Sequence, residues 1–206
     1  MPKITRLVQG KKNPNRVNLY LDDEFAFALS IDEVAKKSLK KDLELTDSQI
    51  NELKSNDEAA QIYAKILNFL SYRPRSVKEV KDRLTKYKVL GDAAQNAYIT
   101  KLRDSGYLDD LAFAKWFIDS RNNHKSRSKR MLMYELSLKG IPKEVVDSLK
   151  SSMNDDESTL IKLISKKLGT PRKLEVYEKQ KIQTYLVRQG FAWEEVSKVV
   201  KSWQSE

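Results

Sequence analysis

Two pairs of carboxylates, Asp109-Asp110 and Asp155-Asp156, are the residues whose spacing most invites a chemical reading, because adjacent acids can share a proton or hold a hard cation. Each pair, however, stands just before a segment of helical periodicity, where a carboxylate meets unpaired N–H groups and the positive end of a helix dipole. Both pairs are therefore read as helix caps. His124 is the sole histidine. Its polar setting holds no nucleophile, and one imidazole without a His or Cys companion builds neither a zinc site nor a triad, so it is read as a surface residue. The absence of cysteine excludes a disulfide framework, a thiolate metal site and a cysteine nucleophile. The six glycines form no phosphate-cradling loop. The chain is read as a non-enzymatic binder without metal or cofactor.

What recurs is positive charge. Arg73 and Arg75 flank Pro74 on a rigid turn, and Lys78 follows. Arg121, Lys125, Arg127, Lys129 and Arg130 lie within ten residues that contain no acid, and Lys166, Lys167, Arg172 and Lys173 form a third group. Cations of this kind hold phosphates without reading base sequence, and such binding weakens steeply with salt. The 39 basic and 29 acidic side chains leave a net charge of +10, unevenly placed: residues 1–58 carry −1 and residues 59–206 carry +11. A basic surface suits phosphate or an acidic protein, although charge alone names no partner. Trp116, Phe117, Trp193 and Trp203 are possible stacking platforms, but their helical spacing with Phe113, Val196 and Val199 assigns them to the core.

The elements that carry these residues divide in the same place as the charge. Lys3–Gln9 and Arg16–Leu21 alternate apolar and polar residues about the Gly10–Asn15 loop, and Asp22-Asp23 links the second run to Glu24–Leu29. This predicts paired strands and a hairpin whose turn lacks the favoured glycine. Residues 31–41 read as a helix, and Thr46-x-x-Gln49 opens another that extends to about Lys54. From residue 59 the period is helical. Ile62, Ile66, Leu67 and Leu70 form one stripe and Val77, Val80, Leu84 and Tyr87 a second, with Tyr98 and Leu102 in a third. Ser76 and Glu79 supply a capping signature after Pro74.

This grammar repeats. Tyr63-Ala64-Lys65 recurs as Phe113-Ala114-Lys115 at a spacing of 50, and Leu136, Gly140, Ile141, Val146 and Leu149 recur as Leu186, Gly190, Phe191, Val196 and Val199 at the same spacing. Leu84 and Leu136 are 52 apart, which places two extra residues in a loop at Asn122–Ser128. Gly140 and Gly190 each close a helix. The expected fold is mainly α: three tandem three-helix repeats at 59–108, 109–154 and 155–206, forming an elongated, curved array behind a small α+β segment at 1–58. No signal-peptide h-region and no membrane-length apolar run is present, so the chain is read as a cytoplasmic monomer.

Phe69-Leu70-Ser71-Tyr72-Arg73-Pro74-Arg75-Ser76 with Val80 and Leu84, Gly106-Tyr107-Leu108-Asp109-Asp110 with Phe113-Ala114, Leu136-x-x-Lys139-Gly140-Ile141, and Leu186-x-Arg188-Gln189-Gly190-Phe191 together resemble the RecX family of recombination regulators. The likeness spans residues 59–200 in order, and the strand-containing start is similar to the extension of longer members. It implies a protein of DNA repair, recombination and the SOS response that binds the RecA filament on single-stranded DNA. Such a protein suppresses ATP hydrolysis, strand exchange and co-protease activity, and some members bind single- or double-stranded DNA directly. By position, Arg73, Arg75 and Lys78 fall in the family's arginine-containing turn and Lys139 in its Lys-Gly turn. Gln189 stands where a basic residue often sits. A helical DNA-binding module without recombinase specificity is the alternative.

Overall fold

The computed structural model describes residues 1–124 and 126–203, so the candidate cation Lys125 lies outside the described residues. The chain forms two compact units, Met1–Phe69 and Leu70–Glu206.

In the first unit, β1 (Ile4–Gln9), β2 (Arg16–Leu21) and β3 (Glu24–Ser30) form an antiparallel meander in the order β1-β2-β3. Asp22 and Asp23 both adopt left-handed φ, 46° and 68°, the geometry that a two-residue hairpin requires and that Asp tolerates without glycine. Asp22 is further held by the Lys3 N–H, which donates to its carboxylate at 3.0 Å. The Ser30 hydroxyl caps α1 (Ile31–Lys36). This helix stops short of the expected residue 41 because Ser38 turns to a φ of 51°. Ile4, Leu19 and Leu29 bury the inner sheet face against Leu39, Leu45, Ile50 and Leu53.

Thr46 and Gln49 cap each other reciprocally: the Thr46 N–H donates to Gln49 Oε1 at 2.8 Å and the Gln49 N–H to Thr46 Oγ1 at 3.2 Å. The helix they open, α2, does not end near Lys54 but runs Asp47–Ser71. Ser55-Asn56-Asp57 is weak helical sequence, yet the fold secures it. The Asp57 carboxylate is buried and accepts from Arg16 on β2, with Nη2 at 2.9 Å, and from Gln61 one turn on, at 2.7 Å.

Beyond α2 the chain is helical: α3 (Val77–Lys86), α4 (Asp92–Asp104), α5 (Asp110–His124), α6 (Lys129–Leu138), α7 (Lys143–Ser148), α8 (Asp156–Leu168), α9 (Val176–Arg188) and α10 (Trp193–Trp203). α5–α7 close around Phe113, Phe117, Ile118, Leu132, Leu136 and Val146, and α8–α10 around Leu160, Ile164, Leu186, Phe191 and Val200. The molecule is mainly helical, with a small N-terminal antiparallel sheet and tandem three-helix repeats. Two further details differ from expectation. Asn122–His124 belong to the last turn of α5 rather than to a loop. Trp193 is 55% exposed at the start of α10, because the first turn of that helix extends past the core that Val196 and Val200 fill. Phe117 and Trp203 are buried, and Trp116 packs partly buried against the α5–α7 core.

Candidate functional site

The acidic pairs act as caps, and each pair caps two helices. Asp109 accepts from the N–H groups of Leu111 and Ala112 at 2.7 and 3.2 Å, at the start of its own helix α5. Asp110 reaches back to the preceding repeat, accepting the Val77 N–H at the start of α3 at 2.9 Å. The third repeat does the same. Asp155 caps α8 through Glu157 and Ser158 at 3.0 and 3.2 Å, and Asp156 accepts the Lys129 N–H at the start of α6 at 2.8 Å. Burial is the leading influence on the Asp156 carboxyl and pushes its pKa up despite that hydrogen bond. A single acid suffices to cap one helix, so the doubled acid signals a second recipient.

The repeated glycines lie at the same junctions. Gly140 and Gly190 have φ of 75° and 99°, and a Cβ on either would collide with the preceding repeat's second helix. At Gly140 it would stand 2.8 Å from Lys78 Cβ, and at Gly190 2.6 Å from both Met131 Cβ and Ser128 Oγ. These residues therefore combine helix termination with close interhelical approach.

Several candidate cations are built into these junctions. Arg73 forks onto the Glu79 carboxylate at 3.0 and 3.1 Å, and Lys139 of the next repeat reaches the same group at 2.8 Å. Burial alone would raise the Glu79 carboxyl, but the bonds and charge of Arg73 and Lys139 outweigh it and hold the group below its ordinary value. Lys78 donates to the Leu138 carbonyl at 2.9 Å. Arg75 is half-buried beside this set, and burial together with the Arg73 charge lowers its guanidinium pKa. In the second repeat Arg121 and Arg127 both point at Glu135, at 2.6 and 3.4 Å. In the third, Arg172 grips Glu178 at 2.6 and 2.9 Å, drawing the Glu178 carboxyl down to about 2.

The remaining candidates face solvent: Arg130 and Lys173 singly, Lys166 and Lys167 together on the last turn of α8, with Lys129 half-buried. The structure brings Arg127, Lys166 and Lys167 into one cleft of about 330 Å³, with Lys162 and Tyr185 completing its wall and no carboxylate among its lining residues. His124 also lines this cleft. Sequence reading missed Lys162, although its i,i+4 spacing to Lys166 marks a shared helix face. Tyr185 was missed too; the Lys167 ammonium lies 4.9 Å from its ring centre. Arg73, Arg75, Lys78 and Lys139 sit apart, at the junction of the first and second repeats.

Stacked three-helix units locked by acidic caps, with a cleft lined by cations, define a tandem helical-repeat protein. Comparison with known proteins specifies the family. Residues 2–46 match the regulatory protein RecX N-terminal domain, and residues 63–97, 109–148 and 155–200 match the first, second and third RecX three-helix domains. The regulatory protein RecX of Bacillus licheniformis is 36% identical over 200 residues, covering 96% of this chain and 76% of the relative. That of Bacillus subtilis is also 36% identical, covering 96% and 75%. A crystal structure of regulatory protein RecX superposes with a TM-score of 0.66 at 24% identity, covering 98% of this chain and all of the other. A RecX structure from Lactobacillus salivarius gives 0.55 at 21%, covering 72% and 97%. This chain belongs to the RecX family of regulatory proteins. Among the described residues no helix is long and apolar enough to cross a membrane.

Proposed function

We propose that this protein regulates a RecA-type recombinase by binding its filament on single-stranded DNA, lowering ATP hydrolysis, strand exchange and co-protease activity. The observation that carries this reading is family membership along all four matched segments, with relatives named as regulatory proteins. The physical basis is steric and electrostatic. A stack of repeats offers a long face to an extended partner, and the cations of the α5–α6 and α8–α9 connections meet DNA phosphates or acidic recombinase surfaces. Regulation requires tighter binding to one filament state than to another, since equal binding to both shifts nothing. The set proposed to contact the partner is Arg127, Lys129, Arg130, Lys166, Lys167 and Lys173. Arg73, Lys78, Arg121, Lys139 and Arg172 act through the geometry they hold.

The test is recombinase ATPase and strand exchange on single-stranded DNA with this protein titrated from substoichiometric amounts. Dose-dependent loss of both supports the reading. Tight DNA binding with no effect on either would instead support a general DNA-binding module.

A further inference from the structure

The cleft beside α8 adjoins a second hollow of about 470 Å³ formed with α9, and the two share Lys167 and Tyr185 as a common wall. Their linings differ in kind. The first gathers Arg127, Lys162, Lys166 and Lys167, with no acid lining it. The second is walled by Leu168, Ile182 and the rings of Tyr177 and Tyr185. Tyr177, Lys181 and Tyr185 recur at one-turn spacing along a single face of α9, and the Lys181 ammonium lies 5.8 Å from the Tyr177 ring centre. Tyr177 is 71% exposed, so its ring is accessible to a partner.

We infer that the paired hollows hold one nucleotide unit of a single strand, its phosphate in the cationic cleft and its base against Tyr177 and Tyr185. This deepens the proposed function by assigning where the filament's DNA strand is held, and it rests on that reading. Charge decides the orientation. The second hollow has two cations, Lys167 (shared with the first) and Lys181, and one ionised carboxylate, Glu178, its carboxyl held near 2 by Arg172. The first has four cations and no acid, so a phosphate is better placed in the first. A neutral base is indifferent to that carboxylate. In the first cleft a phosphate meets only cations and neutral groups. Bases of a duplex are already stacked on their neighbours and cannot enter the aromatic hollow, so this arrangement selects single strands, whereas cations alone would not.

The experiment is fluorescence anisotropy of a labelled oligo-dT and of a hairpin duplex against the full chain over a range of salt. Replacing Lys162 and Lys166 by Ala should weaken binding to both and flatten the single-strand salt slope by about 1.4, at about 0.7 per phosphate contact. Tyr177→Ala should cost about five- to 150-fold on the single strand, the range for one stacked base, and leave duplex binding unchanged. All three side chains are exposed, so folding is not at stake. On the unsubstituted protein, ultraviolet crosslinking of an oligo-dT bearing one 5-iodouracil should label Tyr177 or Tyr185. Unchanged single-strand affinity in Tyr177→Ala, an equal loss on duplex, or crosslinks mapping elsewhere would each overturn the assignment. If the wild type regulates the filament while these variants bind DNA normally, the nucleotide site falls and the recombinase reading stands. If the wild type leaves the filament untouched but the variants lose single-strand selectivity, the site stands and the recombinase reading falls.

Discussion

Replacing Glu79 tests how much one carboxylate contributes to the junction of the first and second repeats. Its side chain is 13% exposed and receives three charge-assisted hydrogen bonds, two from Arg73 and one from Lys139 across the repeat junction. Bonds to charged groups contribute about 1.5–3 kcal/mol each, so a simple sum would exceed 4 kcal/mol. That sum is too large. The Arg73 and Lys139 side chains are 31% and 37% exposed, and both regain water when the carboxylate is removed, which brings the expected loss for Glu79→Ala to about 2 kcal/mol. Glu79→Gln keeps the shape and an acceptor, so its loss should be near 1 kcal/mol. The assay is urea denaturation followed by far-UV circular dichroism. A double-mutant cycle with Lys139→Met should return a coupling of about 0.5–1.5 kcal/mol. The folded-state pKa of Glu79 lies below its unfolded value, so its contribution is present above the unfolded pKa of about 4.3 and is lost as the pH falls through the folded value. Glu79→Gln should therefore lack that acid-limb component. A coupling below about 0.3 kcal/mol, or a Gln variant as stable as the wild type, would refute the junction.

The glycines and the second acid of each pair give two further tests. Gly140→Ala and Gly190→Ala face both a left-handed φ and a Cβ collision, and each should cost about 2–4 kcal/mol by the same denaturation assay. Gly106→Ala has positive φ but open space, so it should cost about 1 kcal/mol; equal losses at all three positions would contradict the close approach. For Asp156 the sign is opposite to that of Glu79. Its folded pKa is raised, so the fold binds the extra proton, and stability falls as pH rises from the unfolded value of about 3.9 through the folded one. Asp156→Asn keeps the acceptor for the Lys129 N–H without the buried charge and should match or exceed wild-type stability at neutral pH, whereas Asp156→Ala should lose about 1 kcal/mol. An Asn variant as unstable as the Ala variant would count against this account.

Much of the fold was legible because short-range signals and long-range packing agree. The alternation in Arg16–Leu21, the reciprocal cap at Thr46 and Gln49, and the 50-residue recurrence of Leu-x-x-x-Gly-apolar each state a local rule that the tertiary structure obeys. The end of α2 was not legible. Ser55-Asn56-Asp57 reads as a break until Arg16, 41 residues away in sequence, supplies a partner for Asp57. Site reading failed in a related way. Charge clusters mark where cations occur but not which carboxylates face them, so Arg73, Arg121 and Arg172 look equivalent to Lys166 in the sequence, although Glu79, Glu135 and Glu178 hold them in the fold. Tyr185 joins Lys166 and Lys167 only through the packing of α8 against α9, a contact that no local pattern announces, whereas Lys162 shares their helix and is marked by its i,i+4 spacing to Lys166. The doubled Asp before α5 and α8 was another overlooked local clue: its second member caps the helix of the preceding repeat.

Whether this chain acts on a recombinase filament is tested most directly by the ATPase rate of RecA assembled on single-stranded DNA as this protein is added at substoichiometric ratios. The rate is expected to fall with dose, well before one protein is present per recombinase, and strand exchange is expected to fall with it. A rate unchanged up to stoichiometric excess, with the protein shown to be folded and binding DNA, would contradict the claim.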